Sequence, residues 1–223
     1  MDATGILGLL AWGTLVGLDL ISWPQAMIAR PLVAGTVTGW LLGDPATGAA
    51  VGVLLELFAL DLLPVGAARY PDYGAASVGA VYAASGAPDV FGWGLAVLLG
   101  LGVAYLGQGS IHVLRRWTAA DVRRQAAALD AGDAVVIRRV HLRGIGRDAL
   151  RALLITGVGM LLAAAVRAWP PLSVRGTALL TIVAVGAAIG VGMLGAARLA
   201  GRGVGRAWLT VGLLTGVAWL MLR

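Results

Sequence analysis

Cysteine and lysine are both missing from the 223 residues, and glutamate occurs once, as Glu56. Without cysteine there are no disulfides, no thiol nucleophile and no cysteine metal site. Without lysine there is no glycine-rich phosphate loop of the kind that ends in that residue. Only two histidines are present, His112 and His141, and neither stands at a metal-ligand spacing. No serine has a plausible histidine base, so no nucleophilic triad forms. The expectation is a protein with no catalytic residues, no metal and no cofactor, whose partners supply any reactive group. The N-terminal stretch "MDATGILGLLAWGTLVGLDL" lacks the basic start of a secretion signal and is expected to stay in the mature protein. No fixed long-period repeat runs through the chain.

What the chain has in excess is apolar surface. The hydrophobic share is 59%, against about 45–50% in soluble globular domains, and mean hydropathy is +0.88. Apolar runs suited to membrane spans fall at about 4 to 22, 46 to 63, 90 to 114, 150 to 168, 176 to 197 and 206 to 222. Two shorter glycine-rich runs, at 31 to 43 and 74 to 87, are bounded by Pro31, Pro45, Pro71 and Pro88. They suit re-entrant or broken helices, which survive at membrane depth only where protein or a polar cavity covers them. The fold class expected is an all-α polytopic membrane protein with six to eight hydrophobic helices. Gly35, Gly39 and Gly43, then Gly48 and Gly52, follow four-residue spacings that let helix backbones approach closely.

All seventeen basic residues are arginine, and the net charge is +6. No aromatic platform accompanies them, so the charge is ascribed to topology and nucleic acid is excluded as a partner. Nine of the arginines and four aspartates fall between Arg115 and Arg151. That segment reads as a cytoplasmic loop with a surface helix, open to soluble partners or anionic membrane lipid. "RLAGRGVGR", Arg198 to Arg206, falls on the same side if two spans intervene, which leaves Trp169 and its "WPPLS" turn facing outward. The domain reading is 1–114 as an N-terminal membrane region with the site, 115–150 as the basic loop, and 151–223 as C-terminal helices.

The polar residues of the apolar runs are concentrated early. Asp19, Arg30, Asp44, Glu56, Asp61 and Asp72 precede residue 75, whereas the spans after Arg151 carry no acidic residue. Charges at membrane depth face a bundle interior or a polar pathway. Glu56, mid-run between "AAVGVLL" and "LFAL", fits three roles: hydrogen-bond acceptor for a polyhydroxylated ligand, proton carrier, or ion-pair partner of Arg30. Asp44, between Gly43 and Pro45, fits a helix cap or a ligand contact. Gln25 offers the donor and acceptor groups that sugar hydroxyls need, and Asp72 in "RYPDYG" reads as a turn residue or part of the site.

The stretch Gly17 to Ser77 resembles the IIC membrane subunit of the mannose/fructose/sorbose class of sugar phosphotransferase systems. The matching features are Gln25 ahead of Arg30-Pro31, the Gly43-Asp44 step, Gly48 and Gly52, Leu55-Glu56-Leu57, and then Pro64, Gly66, Pro71 and Asp72. The resemblance implies a sugar-translocating subunit of the bacterial cytoplasmic (inner) membrane. It would assemble into oligomers with a IID membrane subunit and receive soluble IIB and IIA proteins that carry the phosphoryl group. It places Gln25, Asp44, Glu56 and Asp72 at or beside the sugar, with Asp19, Arg30, Gly43 and Gly66 in support. A structural or assembly membrane protein, and an ion-coupled secondary transporter, remain alternatives at this point.

Overall fold

The computed structural model of the chain describes residues 2–61, 69–85, 92–168 and 173–221; Pro64, Gly66, Pro88 and the turn after Ala168 lie outside them. Among the described residues there are eight helices and no strand: α1 Ala3–Ile21, α2 Pro31–Leu41, α3 Pro45–Ala59, α4 Tyr73–Ala84, α5 Gly92–Arg124, α6 Ala126–Asp130, α7 Ala134–Ala168 and α8 Val174–Met221. The all-helical expectation holds.

Local chemistry sets where these helices begin. Asp2 accepts from the Gly5 N–H at 2.9 Å to cap α1, Asp44 from Thr47 at 3.1 Å to cap α3, and Asp72 from Ala75 at 3.1 Å to cap α4. Each satisfies an N–H that a first helical turn leaves without an internal partner. Pro31 and Pro45 occupy the opening positions of α2 and α3, where their missing N–H costs nothing. Gly43, at φ +79°, turns the chain between those two helices in a conformation that a Cβ would disfavour.

Two length classes result. α1, α5, α7 and the first 25 residues of α8 are long and apolar enough to cross a membrane. α2, α3 and α4, with 11, 15 and 12 residues, are only about 16 to 22 Å long at 1.5 Å per residue, against roughly 30 Å of hydrocarbon. The short runs expected to be broken or re-entrant are thus half-length helices inside the bundle. Leu98, Leu106, Leu154, Leu161, Leu179 and Ile182 are exposed on the outside of the long helices, as a multi-pass membrane protein requires of surfaces that meet lipid.

Two expectations need correction. The basic segment 115–150 is a helical hairpin rather than a loop: α5 runs to Arg124 and α7 starts at Ala134, joined by α6 and a turn at Gly132. Asp121 on α5 binds Arg147 of α7 at 2.8 Å and so ties the hairpin together. The runs at 176 to 197 and 206 to 222 are not separate spans, because α8 is continuous through "RLAGRGVGR". No proline follows Pro171, and glycine weakens a helix by only about 1 kcal/mol without interrupting its bond ladder.

Glycine decides the packing of α2 on α3. A methyl group on Gly48 would lie 2.5 Å from the Gly35 carbonyl oxygen, and one on Gly52 would lie 2.7 Å from that of Pro31. The two helices run antiparallel in backbone contact, so the four-residue glycine spacing is a seam within one subunit. α4 is enclosed by its neighbours, with ten of its twelve residues buried. It crosses α7 where Gly79 meets Gly159, and it packs on α5 through Ala80 and Gly100.

Candidate functional site

The half-length helices bring their polar ends to one level of the bundle, near where the basic hairpin emerges. The segment between α1 and α2 holds a cis Trp23–Pro24 bond and two non-glycine residues in the left-handed region, Gln25 at φ +58° and Met27 at φ +63°. Left-handed backbone at residues other than glycine persists where the surroundings over-determine it. Asp19, at the end of α1 and 3% exposed, is the fixing group: one carboxylate oxygen accepts from the Ala26 N–H and the other from the Ala29 N–H at 2.9 Å. A buried aspartate here replaces the backbone partners that an irregular segment lacks.

Arg30 follows that segment, and its Nη1 lies 3.1 Å from Glu56 Oε1. The other Glu56 oxygen faces the Leu32 N–H at 3.3 Å. Of the three roles open to the lone glutamate, the ion pair is thus present, joining the start of α2 to α3. It is only partly enclosed, with the arginine side chain 49% and the glutamate 18% exposed, so water and a polar ligand can compete for it.

A second network lies deeper. Arg151 of α7 donates through Nη1 to Asp72 Oδ2 at 2.6 Å, through Nε to Asp148 Oδ1 at 2.8 Å and through Nη2 to the Gly17 carbonyl at 3.0 Å. The Ser22 hydroxyl donates to Asp148 Oδ2 at 2.6 Å. Asp72 and Asp148 are fully buried, so each charge in the cluster has a geometrically specific partner. The cluster bolts α1, α4 and α7 together at the depth of the irregular segment.

Between these features lies a cavity of about 420 Å³, within the roughly 300–1,000 Å³ range of small-molecule sites. Asp19, Gln25, Met27, Arg30, Tyr70 and Tyr73 are among the residues lining it. Its polar groups are a carboxylate, an amide, a guanidinium and phenol hydroxyls, and Leu20, Ala29, Pro31, Ala59 and Pro71 are among the apolar residues of its walls. Such a lining offers both donors and acceptors together with ring faces for an aliphatic or C–H surface. Among the described residues no group of three or more His, Asp or Glu is arranged to hold a metal ion.

Four of the sequence-derived site residues therefore sit together: Asp19, Gln25 and Arg30 line the cavity, and Glu56 holds Arg30. Asp72 is adjacent through Tyr73, but both of its oxygens are engaged, one by the α4 N-terminus and one by Arg151. Asp44 and Gly43 lie at the opposite end of the α2–α3 hairpin, with Asp44 twelve positions before Glu56 and so about 18 Å away along α3. Gly66 lies outside the described residues. Tyr70, Tyr73, Ser22, Asp148 and Arg151 carry the site or its frame without having been singled out. The available signal was the Asp148/Arg151 spacing of three at the start of an apolar run, which places both on one helix face.

Residues 4–202 match the family described as the "PTS system sorbose-specific iic component". The chain is 36% identical over 127 residues to the "Fructose permease IIC component" of Bacillus subtilis, covering 57% of this chain and 46% of that protein. It is 33% identical over 122 residues to the "PTS system mannose-specific EIIC component" of Escherichia coli, covering 55% and 45%. The chain thus aligns with less than half the length of these curated relatives. Two solved structures share the fold at 23% identity, each match covering 97% of this chain and 87% of the other. One, titled "Structure of membrane protein", gives a TM-score of 0.77. The other, from a complex of mannose transporter ManYZ with microcin E492, gives 0.64.

Proposed function

The chain belongs to the sorbose-type IIC family of phosphotransferase-system sugar permeases, and from that premise we propose that it binds a hexose-type sugar in the cavity between α1, α2 and α4 and passes it across the bacterial cytoplasmic membrane. A partner IIB protein, charged by IIA, phosphorylates the sugar at the arginine-rich end, which positive-inside bias puts in the cytoplasm. A IID membrane subunit completes the conducting assembly, and the assembly is oligomeric.

The observation that carries this reading is the polar cavity fenced by the Asp19-held segment and the partly open Arg30–Glu56 pair. Gln25 and Arg30 contact sugar hydroxyls as donors, with the Gln25 amide oxygen and the Glu56 carboxylate as acceptors. Tyr70 and Tyr73 supply ring faces. Asp72 and Asp19 act as positioning residues, and Gly43 and Asp44 shape the far end of the hairpin. The chain's part is recognition and passage, while phosphoryl chemistry belongs to the partner.

The decisive experiment is reconstitution with cognate IIB and IID and measurement of sugar uptake with and without a phosphoryl donor. Donor-dependent uptake is expected. Uptake driven by a pH gradient with no donor would replace this reading with an ion-coupled one, and no uptake with an intact assembly would leave a structural role.

A further inference from the structure

A second cavity, about 400 Å³ in volume, opens beside α5 on the other side of Tyr70. Arg69, Arg115, Arg116 and Arg123 line it together with His112, and none of its lining residues is acidic. Its α5 residues fall at 108, 111, 112, 115, 116, 119 and 123, one face of the helix. The acidic residue of this part of α5, Asp121, is turned away and held by Arg147 at 2.8 Å. Arg115 is oriented by Tyr70: its guanidinium lies 5.4 Å from the ring centre and donates to the hydroxyl at 3.3 Å.

Arg69, Arg116 and Arg123 form no ion pair among the described residues, so positive charge is concentrated around one hollow and draws anions to it. Guanidinium groups match phosphate oxygens in charge and in planar, paired donor geometry. The opening lies at the end of the bundle where α5 leaves its apolar stretch, the level at which lipid phosphates and soluble phosphates are both within reach. We propose that this cavity is a phosphate-group site, filled by an anionic phospholipid headgroup or by a small soluble phosphate. It does not depend on the sugar reading of the neighbouring cavity.

The test uses the full chain purified in detergent, with inorganic phosphate titrated by calorimetry and phosphatidylglycerol counted by native mass spectrometry. R116Q/R123Q removes two exposed guanidiniums from the rim, and R138Q/R139Q removes the same charge from an exposed part of α7. Wild type and R138Q/R139Q are expected to bind at least one probe saturably and alike, and R116Q/R123Q to bind it at least tenfold more weakly, with the unfolding midpoint of all three alike. Saturation by phosphate in lipid-free detergent assigns a soluble ligand, and retention of phosphatidylglycerol without phosphate binding assigns a headgroup. No saturable binding of either probe, or equal weakening in both double variants, overturns the proposal.

Discussion

Arg151 Nη1 and Asp72 Oδ2 meet at 2.6 Å although 79 positions separate them in the chain. The pair joins the first turn of α4 to α7, and both side chains are shielded from water. Removing Asp72 leaves Arg151 enclosed with Asp148 as its remaining carboxylate, at a cost of about 1.5–3 kcal/mol for the lost hydrogen bond between charged groups. Asp72→Ala is expected to lower the unfolding midpoint in detergent strongly. Asp72→Asn, which keeps an acceptor for the Ala75 N–H, is expected to lose less, and Arg151→Lys cannot reach three acceptors with one ammonium.

Asp19 holds two backbone N–H groups of the segment that carries Gln25 and Met27. Asp19→Ala strands both donors, at about 1–3 kcal/mol for a buried one. Amide hydrogen exchange at Ala26 and Ala29 is expected to accelerate while exchange in α7 is unchanged. Equal protection in the variant and wild type would show that the segment is held by something else.

The Arg30–Glu56 pair is partly exposed, and pairs of that kind contribute only about 0–1 kcal/mol. Glu56→Ala and Glu56→Gln are therefore expected to leave thermal stability near wild type while sugar uptake by the reconstituted assembly falls at least tenfold. Uptake that survives Glu56→Ala would remove this carboxylate from the sugar path.

At the α2–α3 seam a single methyl is too much. Gly48→Ala forces two backbones apart, with a cost of about 1–3 kcal/mol. Gly102→Ala on α5, where an added methyl meets nothing within 4 Å, is expected to be neutral or slightly stabilising. Paired thermal melts of the two variants check the contrast.

The features legible in the sequence were those decided within a few residues. Asp44-Pro45 and Arg30-Pro31 announce helix starts because caps and prolines act on adjacent backbone, and the apolar runs announce spans because burial in lipid is a property of composition; Asp72, expected as a turn residue or part of the site, instead caps α4. The Arg30–Glu56 pair was one of three readings of Glu56, and geometry was needed to show that it forms. The Arg151 cluster is hidden because its members come from α1, α4 and α7, and the Asp148/Arg151 spacing alone does not distinguish a buried pair from one at a membrane boundary. The segment expected as a loop with a surface helix is a hairpin of α5 and α7, and it escapes notice because a polar helix stabilised by cross-pairs such as Asp121–Arg147 has no hydrophobic stripe to betray it. The continuity of α8 was missed for a related reason: glycine and arginine resemble a linker in composition, yet neither stops a helix.

The enclosure of α4 has a consequence for how this protein is made. Built from glycine, alanine and serine with few bulky apolar residues, and walled off from the outside by its neighbours, it has little of its own to hold it in lipid. Its place is determined by the helices that close around it, so its insertion is expected to depend on segments synthesised later, α5 and α7 above all. Substitutions within it are accordingly judged by the volume and the hydrogen-bond partners its neighbours allow, because the wall that matters to α4 is other protein.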